Sequence, residues 1–235
     1  MMLATCELEA VFRDPDGRVY ANPWPAKACP LSDVLRPGDG VLDLGANVGE
    51  YTRDFAARVG PSGFVLAVEP DPQTALACTV LARSWPWVHV VPAAVASQAG
   101  VARLWCDARN ARRHSLCREN LTHDSSGWRA VPALTLDQLA ASVPSLRAIK
   151  VDIQGWEAAM LAGARETLAR TDVTWWVELW PLGLAHAGSS AAAVLDTFNA
   201  AGLGLIGTTW DAVRAVAKGC PHGVQNIFLQ HQIAI

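Results

Sequence analysis

Gly40-Val41-Leu42-Asp43-Leu44-Gly45-Ala46-Asn47-Val48-Gly49 is the stretch on which the fold turns. A short apolar run leads into a glycine-bearing turn. Tyr51, Phe55 and Val59 then recur at helical spacing until Gly60-Pro61-Ser62-Gly63 breaks the pattern. Strand, turn and helix in that order open a βαβ unit, and the same alternation continues outward. Phe64–Glu69 reads as a second strand. Asp71 is placed to cap the next helix, with Pro72 at its first position. Val88–Val91, Ala148–Asp152, Val173–Glu178, Leu203–Ile206 and Ile227–Leu229 supply further strands. A helix capped by Ser189 or Ser190 and ended by Gly202 lies between Val173–Glu178 and Leu203–Ile206. The alternation predicts an α/β domain built on a largely parallel sheet.

The chain has 235 residues, 51% hydrophobic and 17% charged, which suits one domain. Residues 1–39 read as a short N-terminal cap, with Pro23, Pro25 and Pro30 keeping part of it irregular, and residues 40–235 as the main domain. The rhythm breaks around 97–131, a polar stretch with Asn110, His114, Asn120 and His123. It is read as an irregular insertion in which Val101–Trp105 can form a hairpin strand. It covers a site or is a tolerated surface excursion.

The net charge is −3, and the one basic cluster, Arg109, Arg112, Arg113 and His114, sits beside Asp107. That argues against long nucleic acid as a partner. The six cysteines include no C-x-x-C pair, so they read as reduced thiols of a cytoplasmic protein rather than a disulfide framework or zinc site. The N-terminus lacks a signal-peptide pattern. The most apolar long stretch, Ala191–Gly207, is too short and polar to span a bilayer, so no membrane association is expected.

The glycine turn indicates the ligand. A dinucleotide fingerprint needs G-x-G-x-x-G, and here Gly45 and Gly49 stand without the middle glycine. Asp43 at the strand end would repel a pyrophosphate but suits a cationic ligand such as S-adenosylmethionine (SAM). Glu69 ends the second strand about twenty residues later, where an acid accepts hydrogen bonds from ribose hydroxyls. The set favours SAM over NAD. A plain strand–turn–helix with Asn47 as N-cap is the bland alternative.

From these residues outward the chain resembles the FkbM family of SAM-dependent methyltransferases. The matching pieces are Asp43–Thr52, Val68-Glu-Pro-Asp71, Leu134–Leu139, Ile149-Lys-Val-Asp-Ile-Gln-Gly-Trp-Glu157, Leu161–Ala164 and Val177-Glu-Leu179. They run in family order over most of residues 41–180, and the Lys-x-Asp-x-x-Gly-x-Glu segment is far more specific than the glycine turn. The family commonly has an acid where this chain has Gln154, which puts a catalytic role for that position in doubt. The resemblance implies a class I methyltransferase (Rossmann-like) fold with a seven-stranded, mostly parallel sheet and helices on both faces. It also implies methyl transfer to a hydroxyl of a small molecule, of sugar or natural-product type. Carried over, Asp43, Gly45, Asn47 and Gly49 fall on the SAM loop, Glu69 on the ribose contact, and Asp71 beside it.

Methyl transfer from a sulfonium needs an oriented acceptor and a base. Asp152 and Glu178 end adjacent strands and should reach the methyl group. Glu157, a helical turn on, could orient Asp152, and Lys150 on the same strand face could pair with it and weaken it as a base. The two acids could instead hold a divalent cation, although no metal site is assigned. Helix capping would also account for Asp152 and Glu157. His114 and His123 are alternative bases, and Trp156, Trp180 and Trp210 could wall an acceptor pocket. His89 reads as structural, while His186, His222 and His231 carry no motif. N-methylation of an amine, SAM binding without catalysis, and NAD-dependent oxidoreduction are the competing readings. The last is disfavoured by the missing glycine and Asp43, and SAM binding alone by the retained acids.

Overall fold

In a computed structural model, the described residues are 12–13, 19–20, 31, 33–110, 113–121, 123–220 and 222–231. Most of the expected N-terminal cap, with Cys6, Cys29 and the three prolines, lies outside them, as does Arg112. Short apolar, β-branched runs pair as strands because they pack on both faces of a covered sheet. The strands are β1 (Phe12–Arg13), β2 (Val19–Tyr20), β3 (Gly40–Leu44), β4 (Phe64–Val68), β5 (Val88–Val91), β6 (Ala94–Val95), β7 (Gly100–Asp107), β8 (Ser125–Leu134), β9 (Leu146–Val151), β10 (Thr174–Leu179), β11 (Leu203–Leu205) and β12 (Gln225–His231). The helices are α1 (Glu50–Val59), α2 (Pro72–Ala82), α3 (Leu136–Ala141), α4 (Glu157–Ala162), α5 (Arg165–Leu168), α6 (Pro181–His186), α7 (Ala191–Ala200) and α8 (Trp210–Gly219).

Seven strands form one sheet in the order β11-β12-β10-β9-β3-β4-β5. The five strands from β10 to β5 are parallel, and β12 is antiparallel to both its neighbours. The expected seven-stranded, mostly parallel architecture is what the chain adopts.

Strand periodicity sorts the two faces. Leu42 and Leu44 of β3, Ile149 and Val151 of β9, and Trp175, Val177 and Leu179 of β10 join the larger core with α3, α4, α7 and α8. Trp175, fully buried, meets Phe198 of α7 edge-on at 5.4 Å. Val41, Ala148 and Trp176 face the other way, against Phe55, Ala56 and Val59 of α1. By the same alternation Asp43, Lys150 and Glu178 lie on the α1 face, and this brings the charged residues of three strands together.

Helix ends follow their capping residues. Asp71 caps α2, accepting from Gln73 and Thr74 N–H with Pro72 at the first turn, and Ser190 caps α7. Asn47 caps nothing: Gly49, in the left-handed region, precedes α1, and the Asn47 side chain turns back to its neighbour Val48 N–H.

The stretch read as irregular is largely ordered into a second sheet. β7 pairs antiparallel with β8, and β6 runs parallel to β8. Its core is small, Ala94, Leu104 and Val131. That leaves little apolar periodicity in the sequence, and β8 opens on Ser125-Ser-Gly and carries Pro132. The hairpin strand expected at Val101–Trp105 is therefore right but too short, and between β7 and β8 a 3-10 turn covers Arg118–Asn120.

The β3–α1 turn is held by backbone. Gly45 and Ala46 N–H both donate to Val68 O, and Asp152 N–H donates to Leu44 O. Gly45 has φ +72°, and a Cβ there would sit 1.8 Å from the Asp152 carbonyl oxygen. Gly60 also has positive φ, +65° with ψ −175°, a region almost confined to glycine, but open space around it. Gly60→Ala should therefore cost only that backbone strain, roughly 1–3 kcal/mol. Gly45→Ala must in addition push the β3 and β9 turns apart and should cost well over ~3 kcal/mol. Urea unfolding of both variants checks this, and equal losses would show that the backbone approach at Gly45 is slack.

Candidate active site

A cavity of about 680 Å³ opens at the carboxyl ends of β3, β4, β9 and β10. This is where an open α/β sheet binds its ligands, since the strand ends and following turns diverge there. One end is lined by Gly45, Ala46, Asn47 and Glu69. Asp152, Gln154, Glu178, Trp156 and Trp180 line the other. Leu104, Asn110 and Arg113–Leu116 of the second sheet's excursion close over it, so that segment does cover the site.

Glu69 is oriented by two backbone donors, Asn47 N–H at 3.0 Å and Asp71 N–H at 2.9 Å. Burial pushes its carboxyl up to about 7, against the pull of those donors. The Gly45–Gly49 turn and this acid form a cradle of the kind a nucleoside with free hydroxyls fills. Asn47, whose φ is +51°, contributes its backbone rather than a cap.

Asp43 does not reach the cavity. It is fully buried, accepts from the Thr52 hydroxyl at 2.6 Å and faces Lys150 Nζ at 3.3 Å, its cross-strand neighbour. The electrostatic argument that set it against a cationic ligand is corrected accordingly: its charge is met inside the protein. Lys150 Nζ lies also 3.5 Å from Gly45 O and 3.9 Å from Asp152 Oδ2, over the rings of Tyr51 and Trp176. Burial works against the ammonium, but Asp43, Asp152 and Glu178 outweigh it and hold Lys150 above its ordinary value.

Asp71 is likewise buried away from the cavity. It caps α2 and anchors the covering segment through Arg129 and through His114, whose Nδ1 is 3.4 Å away. Burial pushes Asp71 up, yet the His114 ring, Thr74 N–H and Arg129 hold it below the carboxylate range. His114 lines the cavity. It is a residue of the covering segment bound to Asp71. His123 instead pairs with Asp107 at 3.0 Å and does not line the cavity.

Asp152 and Glu178 both face the cavity. Asp152 follows β9, and Gln154 Nε2 donates to its Oδ1 at 2.7 Å. Burial pushes Glu178 up to about 7, and neighbouring Asp152 adds to the shift. The Lys150 ammonium thus lies 3.9 Å from one Asp152 oxygen, and the Gln154 amide is on the other.

Glu157 does not orient Asp152. It is buried at the start of α4, where its Oε1 accepts from Gly155 N–H at 3.1 Å. Trp156 and Trp180 wall the cavity, while Trp210 packs against the main core instead. His89 stacks on Phe64 at 4.6 Å, a structural role.

Several residues at the site escaped the sequence reading. Tyr51 looked like a core position of α1, yet it lines the cavity. Arg113, held over the Trp180 ring at 5.8 Å, looked like one member of the basic cluster beside Asp107. Asn120, 2% exposed, stands behind the lining. It donates to the Gln154 and Gly183 carbonyls and meets His186 Nδ1 at 2.9 Å. No motif marks it, since its partners are distant in sequence.

Residues 43–202 match the family described as the methyltransferase FkbM domain. No curated protein matches the chain. Among solved structures, the FkbM methyltransferase of Methylobacillus flagellatus aligns at 15% identity and a TM-score of 0.51, over 85% of this chain and 49% of its own. This chain thus spans about half the length of that protein. A candidate rRNA methylase of Clostridium thermocellum aligns at 10% identity and TM-score 0.52, over 87% and 93% of the two chains. SMU.1697c of Streptococcus mutans, in complex with S-adenosylhomocysteine (SAH), aligns at 10% identity and TM-score 0.51, over 86% and 93%. At these identities the structures establish a shared fold.

Glu157 carries a measurable consequence. Burial raises its carboxyl from the ordinary 4.5 to about 8. The folded state therefore holds this proton more tightly than the unfolded chain. Its contribution to stability is complete below about pH 4.5 and is lost as pH rises through about 8. Glu157→Gln keeps the acceptor for Gly155 N–H and removes the titration. Melting curves from acid to alkaline pH should fall less steeply for the variant, by on the order of a few kcal/mol across the window. A residual slope of the same sign should remain from Glu69 and Glu178. Parallel curves would place Glu157 in water.

Proposed function

The chain belongs to the FkbM methyltransferase family, with SAM as its cofactor, and from that premise we propose that it methylates a hydroxyl oxygen of a small molecule. The observation that carries the reading is the Asp152–Glu178 carboxyl pair facing the same roofed cavity as the Glu69 cradle. When bound, SAM supplies an activated methyl group on a positively charged sulfur. The chain has the remaining tasks: to bind the donor, orient the acceptor oxygen in line, and take its proton.

In this reading Glu69 accepts the ribose hydroxyls, and the Gly45–Gly49 turn lets backbone lie close to the donor. Asp152 and Glu178 receive the acceptor hydroxyl, and Trp156 and Trp180 form apolar walls against which a sugar or natural-product ring can lie. A roofed cavity of this size suits a compact acceptor. Arg113 turns inward over Trp180 and lines the cavity, which takes it out of the basic cluster that a nucleic-acid backbone would meet. No helix among the described residues is long and apolar enough to cross a membrane. The cytoplasmic placement rests on the cysteine spacing.

Incubation with labelled SAM and a panel of hydroxylated and amino acceptors, read by product mass, should give methyl ethers. Products methylated only on nitrogen would overturn the oxygen assignment. Asp152→Asn and Glu178→Gln should each lower turnover by about 10²–10⁴-fold with SAH affinity nearly unchanged. Near-parental turnover in both would remove the pair from the reaction.

Glu69 must be ionised to accept the ribose hydroxyls with full charge. SAH affinity should therefore fall as pH drops through about 7. Glu69→Gln should bind more weakly at alkaline pH and lose this dependence. Each lost charge-assisted bond is worth roughly 1.5–3 kcal/mol. Calorimetry between about pH 6 and 8.5 reads both effects, and an unchanged dissociation constant in the variant would show that the ribose lies elsewhere. NAD should not bind.

A further inference from the structure

The Lys-x-Asp-x-x-Gly-x-Glu segment carries glutamine at 154, a position with no assigned role in the reaction. Its backbone is in the left-handed region, φ +55°, and its carbonyl accepts from Asn120 Nδ2 at 2.9 Å. The turn is thereby fixed, and its side chain is directed back onto Asp152, with Nε2 2.7 Å from Oδ1. A carboxylate can only accept, so the amide presents its N–H to Asp152. The other Asp152 oxygen lies 3.9 Å from Lys150 Nζ.

On this geometry, and resting on the methyl-transfer reading above, we infer that Gln154 is a positioning residue: it fixes Asp152 as the orienting member of the carboxyl pair and leaves Glu178 as the catalytic base. The Gln154 amide and the Lys150 ammonium face one Asp152 oxygen each, so both oxygens are engaged from within the chain. Burial and the neighbouring Asp152 carboxyl hold the Glu178 proton until pH rises past about 7. In the reaction the acceptor O–H proton passes to the Glu178 carboxylate. The acceptor oxygen forms its bond to the methyl carbon as the carbon–sulfur bond breaks, and that bonding pair stays on sulfur, leaving a neutral thioether.

The charged groups around Glu178 come from every side. Lys150 and Asp152 lie on or just after β9, Tyr51 and Glu50 on α1, Glu157 at the start of α4, and Arg113 in the covering segment. His222, before β12, lines the same cavity. Lys150 and Arg113 favour the Glu178 anion, while burial and Asp152 oppose it more strongly. An acid at 154 would replace the donor on Asp152 by a third negative charge, so the hold on Asp152 depends on the amide.

The test needs no acceptor. The full chain, labelled with carbon-13 at its Asp and Glu carboxyls, is titrated by NMR without ligand. A carboxyl titrating near 7 should disappear in Glu178→Gln. Gln154→Met, which keeps side-chain length and removes the donor, should move the Asp152 carboxyl resonance, assigned through Asp152→Asn, while changing the Glu178 step by less than about one pH unit. The Glu69 step, assigned through Glu69→Gln, should stay in place. If Gln154→Met does not fold, Gln154→Leu takes its place. An unmoved Asp152 resonance in the folded donor-less variant overturns the proposal, as does a near-neutral step that vanishes with Asp152→Asn and survives Glu178→Gln. Methylation of the acceptor panel is read separately. If no ether forms while the titrations behave as described, the acceptor reading falls and the fixing of Asp152 by Gln154 stands.

Discussion

A single ammonium organises the centre of this protein. Lys150 sits on the middle of the sheet, 3% exposed, with Asp43 across the strand pair, the Gly45 carbonyl at the turn and Asp152 beyond it. Placing a lysine there costs several kcal/mol in desolvation, which only its anionic neighbours offset. Losing one partner of such a pair typically costs about 3–5 kcal/mol, because the other charge is left stranded. The pair is therefore poor evidence of extra stability and good evidence of registration. It ties the glycine turn after β3 to the acid-bearing turn after β9, so the two ends of the cavity share one reference point.

The covering segment is held to that frame by polar contacts rather than by a large core. Arg129 and His114 reach Asp71 at the head of α2, and Asn120 bridges the turn after β9 and α6. Both anchors are buried, where an unmet polar group is costly and a met one is specific. The result is a roof fastened at each end of the cavity, over the cradle at Asp71 and over the carboxyl pair at Asn120.

The sheet was legible because periodicity and turn chemistry agree along the chain. The boundaries of β5 and the caps at Asp71 and Ser190 fall where the residues indicate. Glu69 and Asp152 were legible because an acid just past a strand's carboxyl end has little choice of direction. Glu178, one residue inside β10, shares the α1 face with Asp43 and still lines the cavity. Asp43, one residue inside its strand end, was misread: β-alternation turned it to the α1 face and a lysine distant in sequence claimed it. Glu157 and Asp71 were read as ligand or reaction groups, yet helix starts absorb them. The second sheet was nearly invisible, since a face covered on one side by only a few small residues leaves a weak pattern. Asn120 depends on contacts across long sequence separations, which no local spacing encodes.

The way these turns touch has an evolutionary corollary. At Gly45 the chain meets the Asp152 carbonyl, and at Gly155 a Cβ would stand 2.5 Å from the Gly183 backbone. Walls made of backbone against backbone admit no drift in side-chain size, so steric necessity restricts the floor of the cavity whatever the acceptor. Leu116 of the roof, with His222 and Val224 beside it, meets the cavity away from those backbone contacts and from the anchors at His114, Arg129 and Asn120. Diversification toward new acceptors, natural or by directed evolution, has its freedom in those positions, with the chemistry beneath left unchanged.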